Sequence, residues 1–414
     1  MKTSVDLYGK RFRRALCAAG CLTRTGSTFG RPPLDWMKRM SARIAIVGGG
    51  LSGLVAAYRL HQAGIGFSLF EARSRFGGRI LSVSEDEQPA MAGFDLGPSW
   101  FWPDMQPELA ALAAELGVRT FAQATEGDMM FERSARETPQ RYPAMPQGQR
   151  SIRFVGGTIA LIAKLLDQLP AEHLHLKAPV SSLVLEGRSI SLRSGNTDRV
   201  FDRVIMAMPP RLIEHTVTFS PAMSDKLARR WRETATWMAP HAKLVATYDR
   251  PFWLDRGLSG SAQSLVGPLV EIHDATTSSG RAALFGFVGV PAQHRTAAGR
   301  DAILEAAVAQ LGRLFGPDAA RPLGTLYKDW AADAQTATAA DGTGSAHLTP
   351  VAGDWIDQDW LGRLFLAGSE VSTTEPGYLA GAVQAAQSVV KQVLASLDTN
   401  TLKKQIAPAG QEEK

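Results

Sequence analysis

Cysteine is nearly missing from this 414-residue chain: Cys17 and Cys21 are the only two, and both precede residue 43. The body of the chain therefore has no disulfide framework, no thiolate metal site and no cysteine to tether a cofactor. A reducing, cytoplasmic setting is expected. Long hydrophobic runs are missing too, since no apolar stretch reaches the roughly 18 residues of a membrane span. The motifs of several chemistries are also lacking. The eight histidines form no H-E-x-x-H pair, and the chain has neither a G-x-x-x-x-G-K-[ST] phosphate loop nor a G-x-S-x-G nucleophile elbow. His173 and His175 have ligand-like spacing but read as a surface pair on a strand.

Excess charge of one sign is confined to one end. The formal net charge is +5, yet the first 43 residues hold ten Lys/Arg against two Asp/Glu, which leaves 35 basic and 38 acidic residues beyond them. The basicity belongs to a leader, so no nucleic-acid partner is expected. Residues 1–42 read as a basic, unpacked extension. Arg13-Arg14 ahead of Ala15 to Gly20 is a faint export signal, about half the shortest usual apolar length. With 45% hydrophobic and 21% charged residues the remainder is globular, and its length suits two or three domains of about 150 residues.

What is present begins at Arg43. Ile44 to Val47 is a short apolar run, the mark of a strand buried on both faces, and it ends in Gly48-Gly49-Gly50. Leu51, Leu54, Val55, Tyr58 and Leu60 then follow helical spacing up to Gly64, and Phe67 to Phe70 reads as a second buried strand. Residues 43–71 thus form one βαβ unit with a parallel sheet. Within it, Gly48 to Gly53 fits G-x-G-x-x-G, placed after a strand and opening a helix as dinucleotide binding requires. Gly48 permits the tight turn, Gly50 lets a pyrophosphate approach, and Gly53 allows close packing. The helix N-terminus, with Ser52, faces the anion. Glu71 follows Gly53 by eighteen residues and can accept from ribose hydroxyls.

Further along, Pro107 to Leu116 and Thr158 to Leu169 read as amphipathic helices. Val180 to Leu192 reads as two strands around Glu186-Gly187, and Val204 to Met208 and Lys243 to Tyr248 as single strands. Ala302 to Leu314 reads as a helix, Leu364 to Ala367 as a last strand, and Leu379 to Leu397 as a long helix before a frayed polar tail.

The continuation Glu71-Ala72-Arg73, then Gly77-Gly78-Arg79, resembles the flavin-containing amine oxidase superfamily of monoamine, polyamine and L-amino-acid oxidases, with protoporphyrinogen oxidase and phytoene desaturase as distant members. Asp95-Leu96-Gly97-Pro98-Ser99-Trp100, Phe154 to Gly157 followed by Val180, and the closing segments Phe365 to Glu370 and Gly377 to Ala382 are similar to further family segments. The resemblance covers residues 43 to about 397 and implies an FAD site. It implies cofactor contacts from Gly48, Gly50, Ser52, Gly53, Glu71, Arg73, Gly78, Arg79, Gly97, Ser99, Trp100, Val180, Glu370 and Leu379. By the same resemblance Lys243, ahead of Phe252-Trp253, holds a water at flavin N5, Trp330 packs near the flavin, and Tyr378 is one wall of an aromatic cage. Counting on from Trp330, the covalent cysteine falls at Ala339 and the second cage tyrosine at Ala340. Both are absent, so FAD is expected to be non-covalent.

The expected fold is α/β, with a discontinuous Rossmann-like FAD-binding domain (43–100, 151–240 and 355–397), an inserted α+β substrate domain (101–150 and 241–354), and disordered ends at 1–42 and 398–414. The expected function is oxidation of a small-molecule amine by hydride transfer to flavin N5, with oxygen as acceptor and imine or carbonyl, ammonia and hydrogen peroxide as products. A desaturase or L-amino-acid oxidase of the same superfamily, or a non-enzymatic prenyl-binding escort on the same scaffold, are the alternatives. No motif bears on oligomeric state.

Overall fold

A computed structural model describes residues 42–143, 149–342, 349–350 and 353–406, with backbone alone over 398–406. The basic extension and its two cysteines lie outside the described residues. Five parallel strands form the first sheet, in the order Leu364–Leu366, Arg203–Met206, Ile44–Val47, Phe67–Phe70, Leu174–His175. Ile44 to Val47 sits at its centre and is buried at every residue, as its unbroken apolar run requires.

The helix Leu51–Gln62 returns the chain from the first strand to its neighbour. It is buried around most of its circumference, because the sheet covers one side and the helix Leu379–Ile406 packs on the other. Full burial of side chains such as Leu54 and Leu60 contributes about 1.5–3 kcal/mol each. The long C-terminal helix runs to Ile406, nine residues beyond Leu397, where the polarity of the segment suggests a frayed tail. Leu402, Lys403, Lys404 and Gln405 are strong helix formers, and propensity carries the backbone on where apolar periodicity stops.

A seven-stranded, largely antiparallel sheet takes its strands from residues 128–142 and 242–329, in the order Gly324–Asp329, Ala242–Tyr248, Ala282–Val288, Leu269–Asp274, Leu258–Ser264, Asp128–Glu132, Gln140–Tyr142. The helix Arg300–Phe315 buries Ile303, Ala307, Leu311 and Leu314 in the core under this sheet. A smaller four-stranded sheet contains Val180–Glu186. His173 closes a short 3-10 turn, and His175 ends a two-residue strand beside Arg199, with no metal-binding group among the described residues.

Candidate active site

The parallel sheet ends in a row of turns at its carboxyl edge, where open α/β sheets bind ligands. The turns after Val47, Phe70, Met206 and Leu366 all line one cavity of about 580 Å³, whose opposite wall is formed by the ends of three inner strands of the seven-stranded sheet, at Ala242, Lys243, Val270, Glu271 and Phe287.

At one end of the cavity two glycine turns pack backbone against backbone. Gly77 N donates to Gly49 O at 2.8 Å, and a Cβ on Gly78 would stand 3.1 Å from Gly50 Cα. Gly48 adopts φ 107°, and a Cβ on Gly53 would lie 1.9 Å from Gly48 O. The helix that follows has no side-chain cap and no acid in its first turn, so its positive end meets the cavity unscreened. Glu71 is buried and supports the turn directly: Oε2 accepts from Gly49 N and Oε1 from Arg73 N, both at 2.8 Å. A carboxylate has about four acceptor positions, so two such bonds leave capacity for ribose hydroxyls.

The arginines divide their work. Arg75 donates to the carbonyls of Phe76, Gly78 and Ile80, shaping the second glycine turn from behind; burial, with Arg73 nearby, pulls its pKa down to about 10. Arg73 reaches Asp333 Oδ1 at 2.9 Å and Thr336 Oγ1 at 2.8 Å. Arg79 donates to Trp237 O and Ser369 Oγ and lies 2.7 Å from Glu370 Oε1 as an ion pair.

At the other end Lys243 is buried. Its Nζ donates to Gly97 O at 3.1 Å and to Ser99 Oγ at 2.5 Å, and it stands 3.9 Å above the Phe285 ring. Burial pulls its pKa down to about 7; Asp95 opposes that shift and Arg153 adds to it. An ammonium has three protons, and two acceptors account for two of them. Trp330 Nε1 is fixed on Leu96 O at 3.0 Å.

Gly48, Gly50, Ser52, Glu71, Arg73, Gly78, Arg79, Gly97, Ser99, Trp100, Lys243, Tyr378 and Leu379 therefore share one wall system. Three of the implied cofactor contacts do not line it. Gly53 stands behind Gly48 and acts through packing. Glu370 is neither on the wall nor on the surface: its side chain is wholly buried and meets the cavity through two wall residues, pairing with Arg79 and accepting from Ser369 Oγ at 3.1 Å. Val180 opens a strand whose side chain enters the core between the two smaller sheets, although nearby Ala178 N donates to Glu71 O at 2.9 Å. Ser52 lines the cavity but donates its hydroxyl to Ala367 O, tying the first helix to the last strand of the sheet.

Ala339 and Ala340 are exposed in a short 3-10 turn away from the cavity; Gln335 and Thr336 form the wall beyond Trp330 instead. Sequence reasoning also missed Trp102 and Trp237. Their rings lie 6.2 and 4.2 Å from that of Tyr378. Neither belongs to a motif, and only the fold brings residues so far apart in sequence together.

The family profile described as "Flavin containing amine oxidoreductase" matches residues 121–394, and one described as "NAD(P)-binding Rossmann-like domain" matches residues 46–116. This chain belongs to the flavin-containing amine oxidoreductases. A probable flavin-containing monoamine oxidase A of Dictyostelium discoideum is 23% identical over 84% of this chain and 97% of its own. Cyclohexylamine oxidase from Brevibacterium oxydans superimposes with a TM-score of 0.72 at 19% identity, and a putrescine oxidase solved with putrescine bound does so at 0.70 and 20%; each covers 86% of this chain and 99% of that structure.

The amine oxidase is thus a flavin-dependent oxidoreductase on a Rossmann-like fold. Its cavity fits an FAD on its own evidence: two turns in which a Cβ would fill the cradle, an uncapped helix end for a diphosphate, and a buried carboxylate at ribose distance along the chain. The helix beginning at Leu379 brings a second positive end to the cavity beside Tyr378. Among the described residues no helix is long and apolar enough to cross a membrane.

Proposed function

We propose that this oxidase holds FAD without a covalent bond and oxidises a small apolar or aromatic primary amine. When bound, FAD supplies the hydride acceptor at N5, so that the amine leaves as an imine that water converts to a carbonyl and ammonia, while oxygen removes the electrons as hydrogen peroxide. The observation that carries the reading is Lys243, a buried amine fixed by Gly97 and Ser99 on the wall that also bears Trp100 and Phe287. Its remaining proton suits a water on the cavity side, and a pKa near 7 lets it give or take that proton at neutral pH.

Trp100, Trp102, Trp237, Phe287 and Tyr378 all line the cavity. Such walls favour an amine that enters neutral, because a bare ammonium is costly to desolvate. They also supply flat surface for an apolar substituent. An amino-acid substrate would need an arginine for its carboxylate. Among the described residues the only arginines on the wall are Arg73 and Arg79, both already tied to carboxylates. Glu271, held below the usual carboxylate range by its hydrogen bond to His273, adds a negative charge to the same wall.

A peroxide-release screen on L-phenylalanine and its decarboxylated amine, run on one preparation, tests the assignment. The amine should turn over faster, and a faster amino acid overturns it. Peroxide from neither, with slow conversion of a large apolar substrate, would support the desaturase reading; a colourless protein would support the escort reading. Acid precipitation should release the yellow cofactor into the supernatant, since no cysteine follows residue 21. Flavin retained in the pellet would contradict non-covalent binding.

A further inference from the structure

Met238 adopts φ 63°, a left-handed conformation that side-chain-bearing residues rarely take and that persists only where surrounding contacts over-determine it. Those contacts are present on both sides. Arg79 Nη1 donates to Trp237 O at 3.1 Å from the cofactor end of the cavity. Asp341 Oδ1 accepts from Thr236 N at 3.2 Å from behind. Asp341 is itself buried, paired with Arg211, and its Oδ2 accepts from Thr338 N at 2.8 Å and Thr338 Oγ1 at 2.9 Å. Within the segment, Ala239 N donates to Thr236 O and His241 N to Met238 O. The 3-10 turn carrying Ala339 and Ala340 sends neither of these side chains to the wall. Through Asp341 it anchors the segment that does line the wall.

That segment lines the cavity with Trp237, Met238 and His241, and Trp237 is the largest of them. Trp237 lines the cavity with its ring centroid 4.2 Å from that of Tyr378 and the two planes at 57°, and the Trp102 ring lies 6.2 Å from Tyr378 at 72°. A substrate chain cannot pass between the Trp237 and Tyr378 rings, because two van der Waals contacts on either side of it need roughly 7 Å. Tilted at 57°, the two rings form a corner of the cavity wall.

We propose that Trp237 is a specificity residue of this oxidase, closing one side of Tyr378 so that the substrate meets a single-sided aromatic corner that accepts an unbranched primary amine and crowds a substituent on the nitrogen. Asp341 is the positioning residue behind it. The inference rests on the amine oxidase reading of the cavity and adds the substituent pattern that the site selects.

The test compares Trp237→Ala and Trp237→Phe with the unaltered protein on benzylamine and N-methylbenzylamine. Both variants keep the backbone carbonyl that Arg79 uses, so flavin content serves as the folding control. In Trp237→Ala the kcat/KM ratio of benzylamine to N-methylbenzylamine should fall about tenfold or more, and Trp237→Phe should restore most of it. An unchanged ratio in a yellow Trp237→Ala protein overturns the proposal. Benzyl alcohol, which has no amine to oxidise, separates this result from a failure of the functional reading. Its Kd by calorimetry should weaken about tenfold in Trp237→Ala and be retained in Trp237→Phe, whether or not any amine is turned over. Equal affinity in all three proteins also overturns the proposal.

Discussion

Replacing Lys243 by methionine is expected to slow turnover by at least about tenfold while the flavin stays bound. Methionine matches the apolar contact with Phe285 but removes the proton donors that meet Gly97 O and Ser99 Oγ, so the variant loses the group that can hold a water without losing the packing. Its hydrogen bonds reach neither the two glycine turns nor Glu71, hence the retained colour. The pH profile adds a sign. With burial holding the pKa at about 7, the ammonium is present below that value and is lost as pH rises through it. Reoxidation by oxygen should therefore slow across pH 7 in the natural protein, and that step should vanish in Lys243→Met. Stability carries the same signature. Between about 7 and the ordinary lysine value of 10.5 the unfolded chain binds a proton that the folded chain does not, so the natural protein gains stability with rising pH relative to the variant. Stopped-flow reduction and reoxidation rates that are both unchanged in the variant would make Lys243 a purely structural residue.

Gly53→Ala should cost the protein its cofactor. The added Cβ would lie 1.9 Å from Gly48 O and 3.3 Å from Ala207 Cβ, both parts of the cavity floor, and neither is the far end of a flexible side chain. Either the helix Leu51–Gln62 withdraws from the turn or Gly48 moves into the cavity. Overpacking of this kind costs about 1–3 kcal/mol, enough to weaken FAD binding by about ten- to a hundredfold and yield a pale protein on purification. Gly342→Ala is the matched control, since a Cβ there meets nothing within 4 Å. Flavin content per chain, read from the visible absorbance after desalting, decides between the outcomes; equal content in both variants would contradict the role given to the turn.

Local chemistry was legible in the sequence. A strand buried on both faces is a continuous apolar run, and a diphosphate turn needs glycine at fixed offsets, so Ile44 to Gly53 and Glu71 announce themselves. What escaped is long-range. Lys243 was readable as an amine near the cofactor, but its acceptors, Gly97 and Ser99, are about 145 residues away. Glu370 looked like a ligand or a surface acid because nothing near it in sequence shows that Arg79 buries it. Val180 sits in a segment with the expected spacing, and with its side chain in the core only its backbone is left for the contact that the resemblance implies. Ala340 was placed by counting from Trp330, which assumes a loop of constant shape; here the loop coils outward and pins Asp341 instead. Trp237 has no motif at all. Its role depends on the backbone conformation of Met238, which no composition or periodicity encodes.

The most direct measurement is anaerobic addition of benzylamine to the purified yellow protein. With one benzylamine per flavin, the visible flavin absorbance should bleach, ammonia should appear in one-to-one ratio with the flavin, and admitting oxygen should restore the colour with an equal amount of hydrogen peroxide. A yellow protein whose absorbance is unaffected by benzylamine, and by any other primary amine offered, would contradict it.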